Sequence, residues 1–189
     1  MSVTQENYQD QIQRERSERD RSFREDANSP IPPTVLSSFN GLKYYPVNEK
    51  FNLTATVIPD PVGSAVALRT TSGRNQNVER IGVVRFRLDN INFELIVFKT
   101  ADIADLSCQP APFFIPFKDL TNTTETNPAG RYLFFRITPG TNQVELDFNR
   151  AENPKNGFYT KYESLLPPAA NSVNNYSFTV GVRKFEDRV

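Results

Sequence analysis

IGVVRFRLDNINFELIVFK, residues 81–99, reads as a β-hairpin. Val84, Phe86 and Leu88 alternate with Arg85 and Arg87, the two-residue period of a strand with one buried face. Asp89-Asn90 supplies the turn, because both residue types tolerate the left-handed backbone that a tight hairpin needs. Phe93, Leu95 and Val97 resume the apolar face on the return. The same period recurs on either side. Upstream, Phe51, Leu53, Ala55 and Val57 predict a half-buried strand, residues 65–71 a second, and Ser72-Gly73 a turn. Downstream, residues 113–117 predict a strand, residues 131–137 and 143–148 a second hairpin joined through Pro139-Gly140, and residues 176–183 a last strand. The expectation is a mainly β fold, an antiparallel β-barrel or β-sandwich of about 8–9 strands with one N-terminal α-helix. The 15 Phe, 7 Tyr and 14 Pro agree with it.

The helix is expected in residues 6–26, a polar stretch dense in charge. Asp10/Arg14, Glu15/Arg19 and Asp20/Arg24 are spaced i,i+4 with the acid first, the favourable order on a helix. Tyr8, Ile12 and Phe23 are its only apolar positions, so it should lie on the body by a narrow stripe; the alternative is a disordered charged tail. Ser29-Pro30-Ile31-Pro32-Pro33 then forces an extended path. The division expected is a charged helix or tail over 1–28 and a single antiparallel β domain over 29–189. Residues 151–175, rich in Asn and Pro, form a loop of about 25 residues, and its aromatics Phe158, Tyr159 and Tyr162 suggest a cover packed on the body.

Composition excludes much chemistry. The chain has no histidine, which removes histidine-dependent nucleophilic and acid/base catalysis and every His-containing zinc site. Its one cysteine, Cys108, removes disulfides and Cys-ligated metals and reads as a structural thiol. Any metal would need oxygen ligands; none is expected, and no cofactor either. Lys+Arg and Asp+Glu are both 22, so no basic excess favours nucleic acid. No apolar run of about 18 residues predicts a membrane span, and the start lacks a secretory pattern, so a soluble cytoplasmic protein is expected.

Several motifs carry a resemblance. SPIPPTVLSSFNGLKYYPV (residues 29–47), RFRLDNINFEL (85–95), FFIPFKDLTNTTETNPAGRYL (113–133), DFNRAENP (147–154) and LLPPAAN (165–171) together resemble the bacterial and archaeal family known as domain of unknown function 1684. The resemblance matches Asp119, Thr121, Glu125, Gly130, Arg131, Tyr132, Asp147, Asn149, Asn153, Pro154 and Asn171 to the family's motifs. It also marks departures: Asn127 stands where a Tyr is usual, Asn156 and Ser164 where cysteines are, and Ala170 where a Glu is. The resemblance implies an architecture and candidate residues, and no reaction.

Those candidates form one expected polar cluster. Asp119, Glu125 and Asp147 are the carboxylates that could act as acid and base without histidine. Arg131, Tyr132, Asn149, Asn153 and Asn171 are the candidate ligand-binding residues, Arg131 for its bidentate grip on carboxylate or phosphate. The alternative for residues 147–154 is anchoring of the long loop by side-chain to backbone bonds. Three functions follow: a small-ligand-binding module with a polar cleft roofed by residues 151–175, a carboxylate-dependent hydrolase, or a structural or protein-interaction domain. A small molecule is the expected partner; nothing in the sequence sets the oligomeric state or raises the enzyme above the binder.

Overall fold

The computed structural model describes residues 7–99, 112–138 and 140–187. Six strands form one antiparallel sheet: β1 (Asn52–Arg69), β2 (Asn75–Leu88), β3 (Ile91–Lys99), β4 (Phe113–Phe117), β5 (Arg131–Phe135) and β6 (Gln143–Asp147), in the spatial order β5-β4-β3-β2-β1-β6. The helix α1 (Tyr8–Glu25) precedes them, followed by the single turn α2 (Pro33–Leu36). Mainly antiparallel β with one long N-terminal helix is therefore the architecture. Cys108 and Pro139 lie outside the described residues.

The β2–β3 hairpin forms as its pattern dictates. Asp89 and Asn90 turn with φ of 50° and 63°, and Phe86 faces Phe93 across the ladder. The two strands expected at 51–57 and 65–71 are one continuous strand, β1. Its register against β2 shifts between Pro59 and Ser64, and the β2–β3 register shifts between Arg80 and Gly82. A bulge re-aims every side chain beyond it. Val84, Phe86 and Leu88 thus face the main core, while Val78, also even-numbered, faces a second core on the opposite side with Leu68, Phe98, Phe114 and Tyr132. Gly82 sits at this crossing because a Cβ there would run into the carbonyl oxygen of Ile58.

The second expected hairpin does not form. β5 pairs with β4 and β6 pairs with β1, so these strands end opposite edges of the sheet. Alternation shows that a strand has one apolar face; it does not name the neighbour. The sheet curls into a half-barrel that brings both edges to one core, shared by Leu133 and Leu146. The gap is spanned after β6, where Tyr132 and Glu152 exchange backbone hydrogen bonds of 2.8 Å each.

Residues 176–183 form no ladder strand either, although Phe178, Val180 and Val182 are buried with the expected alternation. The Phe178 amide and the Phe178 and Val180 carbonyls are taken by side chains, described below, while Gly181, Val182 and Arg183 bond the backbone of Tyr45, Ala151 and Lys43. The sheet thus has six strands among the described residues where the pattern suggested eight or nine.

Residues 151–175 do pack on the body, on a different side from the one expected. Ala151 and Val173 at their ends join the main core, and between them Leu165 lies in the second core on the opposite face of β4 and β5, where it bridges Thr70 and its carbonyl accepts from the Tyr132 hydroxyl at 2.6 Å. Phe158 closes a third cluster with Phe23, Ile31 and Phe39, joining the loop to the end of α1. Glu163 ties the loop to the β1–β2 turn through Thr70, Ser72 and Arg74.

Two outcomes are expected. Phe148 is fully buried and stacks on Phe178 with centroids 4.4 Å apart, so Phe148→Ala should cost about 3–5 kcal/mol in denaturant unfolding. The hydrogen bond from Arg74, then those from Ser72 and Thr70, hold the Glu163 carboxyl down at about 2 from its ordinary 4.5. A depressed acid contributes its stabilisation above its unfolded value and loses it as pH falls through the folded one. The loop anchor should therefore persist at pH 4.5 and release near pH 2; a carboxyl-detected NMR titration should show that midpoint, and Arg74→Ala should move it back up.

Candidate functional site

The candidate residues fall into separate neighbourhoods. Arg131 and Asp119 meet completely buried, Nη2 lying 2.8 Å from Oδ2 with both side chains 0% exposed. The guanidinium also donates to the carbonyls of Val180 (2.5 Å) and Phe178 (2.9 Å), and Asp119 accepts from the Phe178 amide at 3.1 Å. The other Asp119 oxygen accepts from the Thr121 amide (2.8 Å) and hydroxyl (2.5 Å). Burial pushes the Arg131 pKa down, and the charge of Asp119 opposes it. The pair is a clamp that holds residues 178–180 where a strand ladder would otherwise have done so. Gly130 precedes it with φ of 101°, and a Cβ there would lie 2.7 Å from the Phe117 carbonyl oxygen, so its role is a backbone one.

Alternation sends Tyr132 to the face opposite Arg131, so the two cannot line one cleft. Glu125 is half-exposed and accepts from the Tyr45 hydroxyl at 3.0 Å, with Arg183 3.9 Å away. Burial and then this bond push the Tyr45 hydroxyl up to about 12. Asn171 braces the sheet: its amide bonds the Ile96 N–H (2.7 Å) and carbonyl (3.0 Å) and the carbonyl of Pro116 (2.9 Å). The β3–β4 ladder pairs only Phe98 with Phe114 and Lys99 with Phe113, and Pro116 has no N–H to extend it, so a side chain fills the gap. Asn153 donates to the Arg183 carbonyl at 2.9 Å, while its own side-chain oxygen is buried without a partner. Asn156 and Ser164, where the resemblance implies cysteines, are neighbours: the Asn156 amide donates to the Ser164 hydroxyl at 3.2 Å.

Asp147 and Asn149 belong to a third neighbourhood, a socket for α1. β6 ends at Asp147, and residues Phe148–Arg150 form a 3-10 turn capped by that carboxylate, which accepts from the Asn149 amide at 3.0 Å. From this turn the polar side chains face the helix. The Tyr8 hydroxyl donates to Asp147 (2.8 Å) and accepts from Asn149 (2.9 Å). Arg150 binds Glu15 through Nε (2.8 Å) and Nη2 (3.0 Å), and Asp147 through Nη1 (2.7 Å). Arg19 donates to Glu152 at 2.7 Å, both side chains nearly buried. Arg16 donates to the Tyr45 carbonyl (2.9 Å) and the Asn149 carbonyl (3.4 Å), and lies 4.6 Å over the Tyr44 ring. Burial, then Asp147, pushes the Tyr8 hydroxyl up, and burial pushes Arg16 down. Among the described residues no three acidic or thiol side chains gather as metal ligands.

Sequence reading missed Tyr8, Arg16, Arg19, Arg150 and Glu152 as partners. The signal was present: Ile12, Arg16, Arg19 and Phe23 share the 4-3-4 spacing of one helix face, and all are buried. Glu15 and Arg19, expected to pair with each other, reach across to Arg150 and Glu152 instead. As for the clamp, Arg131→Ala would leave Asp119 buried without its counter-charge and two carbonyls without donors. It should cost on the order of 3–5 kcal/mol by equilibrium unfolding.

A solution NMR structure of an uncharacterized protein from Haloarcula marismortui matches with a TM-score of 0.68 and 28% identity, over 91% of this chain and 92% of that one. No curated protein matches. No helix among the described residues is long and apolar enough to cross a membrane. The family model described as "Protein of unknown function (DUF1684)" matches residues 37–183, which include the clamp and the whole socket. The chain belongs to the DUF1684 family.

Proposed function

We propose that this chain is a protein-interaction module whose recognition surface is the polar socket at the end of β6, filled in this state by its own helix α1. One observation carries the reading: each polar side chain of the segment Asp147, Asn149, Arg150 and Glu152 is bonded to the helix. The socket recognises a helix by charge and register, with Ile12 and Phe23 the buried apolar side chains of the helix. An isolated helix of this length is marginal in water, so its order depends on docking. Its shaft is held by ion pairs and hydrogen bonds that a partner offering the same groups can replace. The occupant in trans is a helix with the spacing Tyr-x3-Ile-x3-Arg-x2-Arg-x3-Phe, basic on its buried face.

The test uses the full chain. Replacing Arg16 and Arg19 by alanine should undock the helix and leave the socket open. A fluorescent peptide of residues 7–26 should then bind this variant saturably, at least about tenfold tighter than it binds the wild type. A peptide with alanine at both arginines should not bind. In the wild type, amide exchange of α1 should be faster than that of β2 and β3, reporting local opening. Failure of the peptide to bind the open variant, or helix exchange only through global unfolding, would make α1 a fixed part of the fold and end the reading.

A further inference from the structure

A cleft of about 730 Å³ lies away from the socket, between the C-terminal end of α1 and residues 155–162 of the long loop. Its two walls differ in chemistry. One carries Lys155, Lys161 and Tyr162, the other Glu25 and Asp26 at the helix end, with Arg24 beside them and Ile31 and Leu36 as an apolar floor. The lysines are pre-placed. The Lys161 ammonium sits 4.6 Å from the Tyr159 ring centroid and 5.0 Å from that of Tyr162, and Lys155 lies 5.9 Å from the same Tyr162 ring. The two tyrosines meet edge to face, which fixes the platform. Cation–π contact steers an exposed ammonium without neutralising it. Among the described residues neither Arg24 nor Lys161 has a carboxylate within ion-pair distance, although the charge of Arg24 acts on Asp20 one turn away, whereas Arg19 and Arg150 are ion-paired.

We infer that this cleft binds a hydroxylated phosphate ester, of the sugar-phosphate class. The phosphate sits between Lys155, Lys161 and Arg24, whose donors suit its oxygens. The hydroxyl groups donate to Glu25 and Asp26 on the facing wall, where the helix end also presents carbonyl oxygens. The Tyr162 ring and the Ile31–Leu36 floor take the carbon skeleton. The volume falls in the range of small-molecule sites, and the carboxylate wall disfavours a ligand that is anionic throughout.

The experiment is an NMR titration of the full chain with ribose 5-phosphate, ribose and inorganic phosphate. Ribose 5-phosphate should give saturable shifts confined to the amides of residues 24–31 and 155–162, inorganic phosphate weaker shifts at the same amides, and ribose none below about 10 mM. Lys161→Gln and Arg24→Gln are exposed substitutions outside the core and should each weaken ribose 5-phosphate by about tenfold or more. Glu25→Gln should reduce the preference for ribose 5-phosphate over inorganic phosphate and leave inorganic phosphate binding in place. No saturable shift, unchanged affinity in both cation variants, or inorganic phosphate binding as tightly as the ester would each overturn the assignment. The peptide experiment on the socket is independent of every one of these outcomes.

Discussion

The buried pair of Arg131 and Asp119 is the contact on which the rest of the molecule depends. Two charges removed from water are costly unless each is paired and their remaining hydrogen-bonding groups are satisfied. Here Arg131 Nε stays buried without a partner, and the cost is offset by bonds that the fold needs for another reason. The segment carrying Phe178 and Val180 enters the core without a ladder strand beside it, and its carbonyls and an amide would otherwise be buried unpaired. The ion pair supplies those bonds. Phe178 is thereby placed among Phe51, Phe93, Phe117 and Phe148, the ring cluster at the centre of the half-barrel. Sheet curvature, core and the segment 178–180 meet at one guanidinium.

Side chains repeat this substitution for backbone pairing elsewhere. Asn171 completes the β3–β4 junction where Pro116 interrupts it. Asn149 holds both the amide and the carbonyl of Asn48, at 2.9 Å each, joining β6 to the turn before β1. In a sheet with short outer strands, such amides are braces with two donors and one acceptor in a fixed plane. Their concentration in residues 147–171 follows from that segment's path across the edges and outer face of the half-barrel.

The helix is attached on a different principle. Ile12 and Phe23 are its buried apolar side chains, and the residues bonded to the socket, Tyr8, Glu15, Arg16 and Arg19, are polar. Apolar faces tolerate sliding; ion pairs do not. A slip of one turn would leave Arg16 and Arg19 buried away from their acceptors, at a cost of several kcal/mol. The helix therefore docks in one register, and the docking responds to changes in charge that would leave the core untouched.

The sequence alone determined the local structure: the β2–β3 hairpin with its Asp89-Asn90 turn, the inward face of β1, the charged N-terminal helix, the long cover, and the buried alternation of Phe178, Val180 and Val182. These depend on periodicity and turn chemistry, which are properties of neighbouring residues. It also marked Asp119, Arg131, Asp147, Asn149, Asn153 and Asn171 as important polar positions. Only the tertiary structure decided what they do. Strand partners are chosen by contacts far apart in sequence, so β5 and β6 could look like a hairpin and yet close opposite edges of a sheet. The bulge beside Gly82 reversed which face the even-numbered residues of β2 present, and Arg131 and Tyr132 parted to opposite sides of β5. A polar side chain carries no sign of its partner in its own sequence neighbourhood. Asp147 finds Tyr8, and Arg131 finds Phe178 and Val180, only when the sheet has curled.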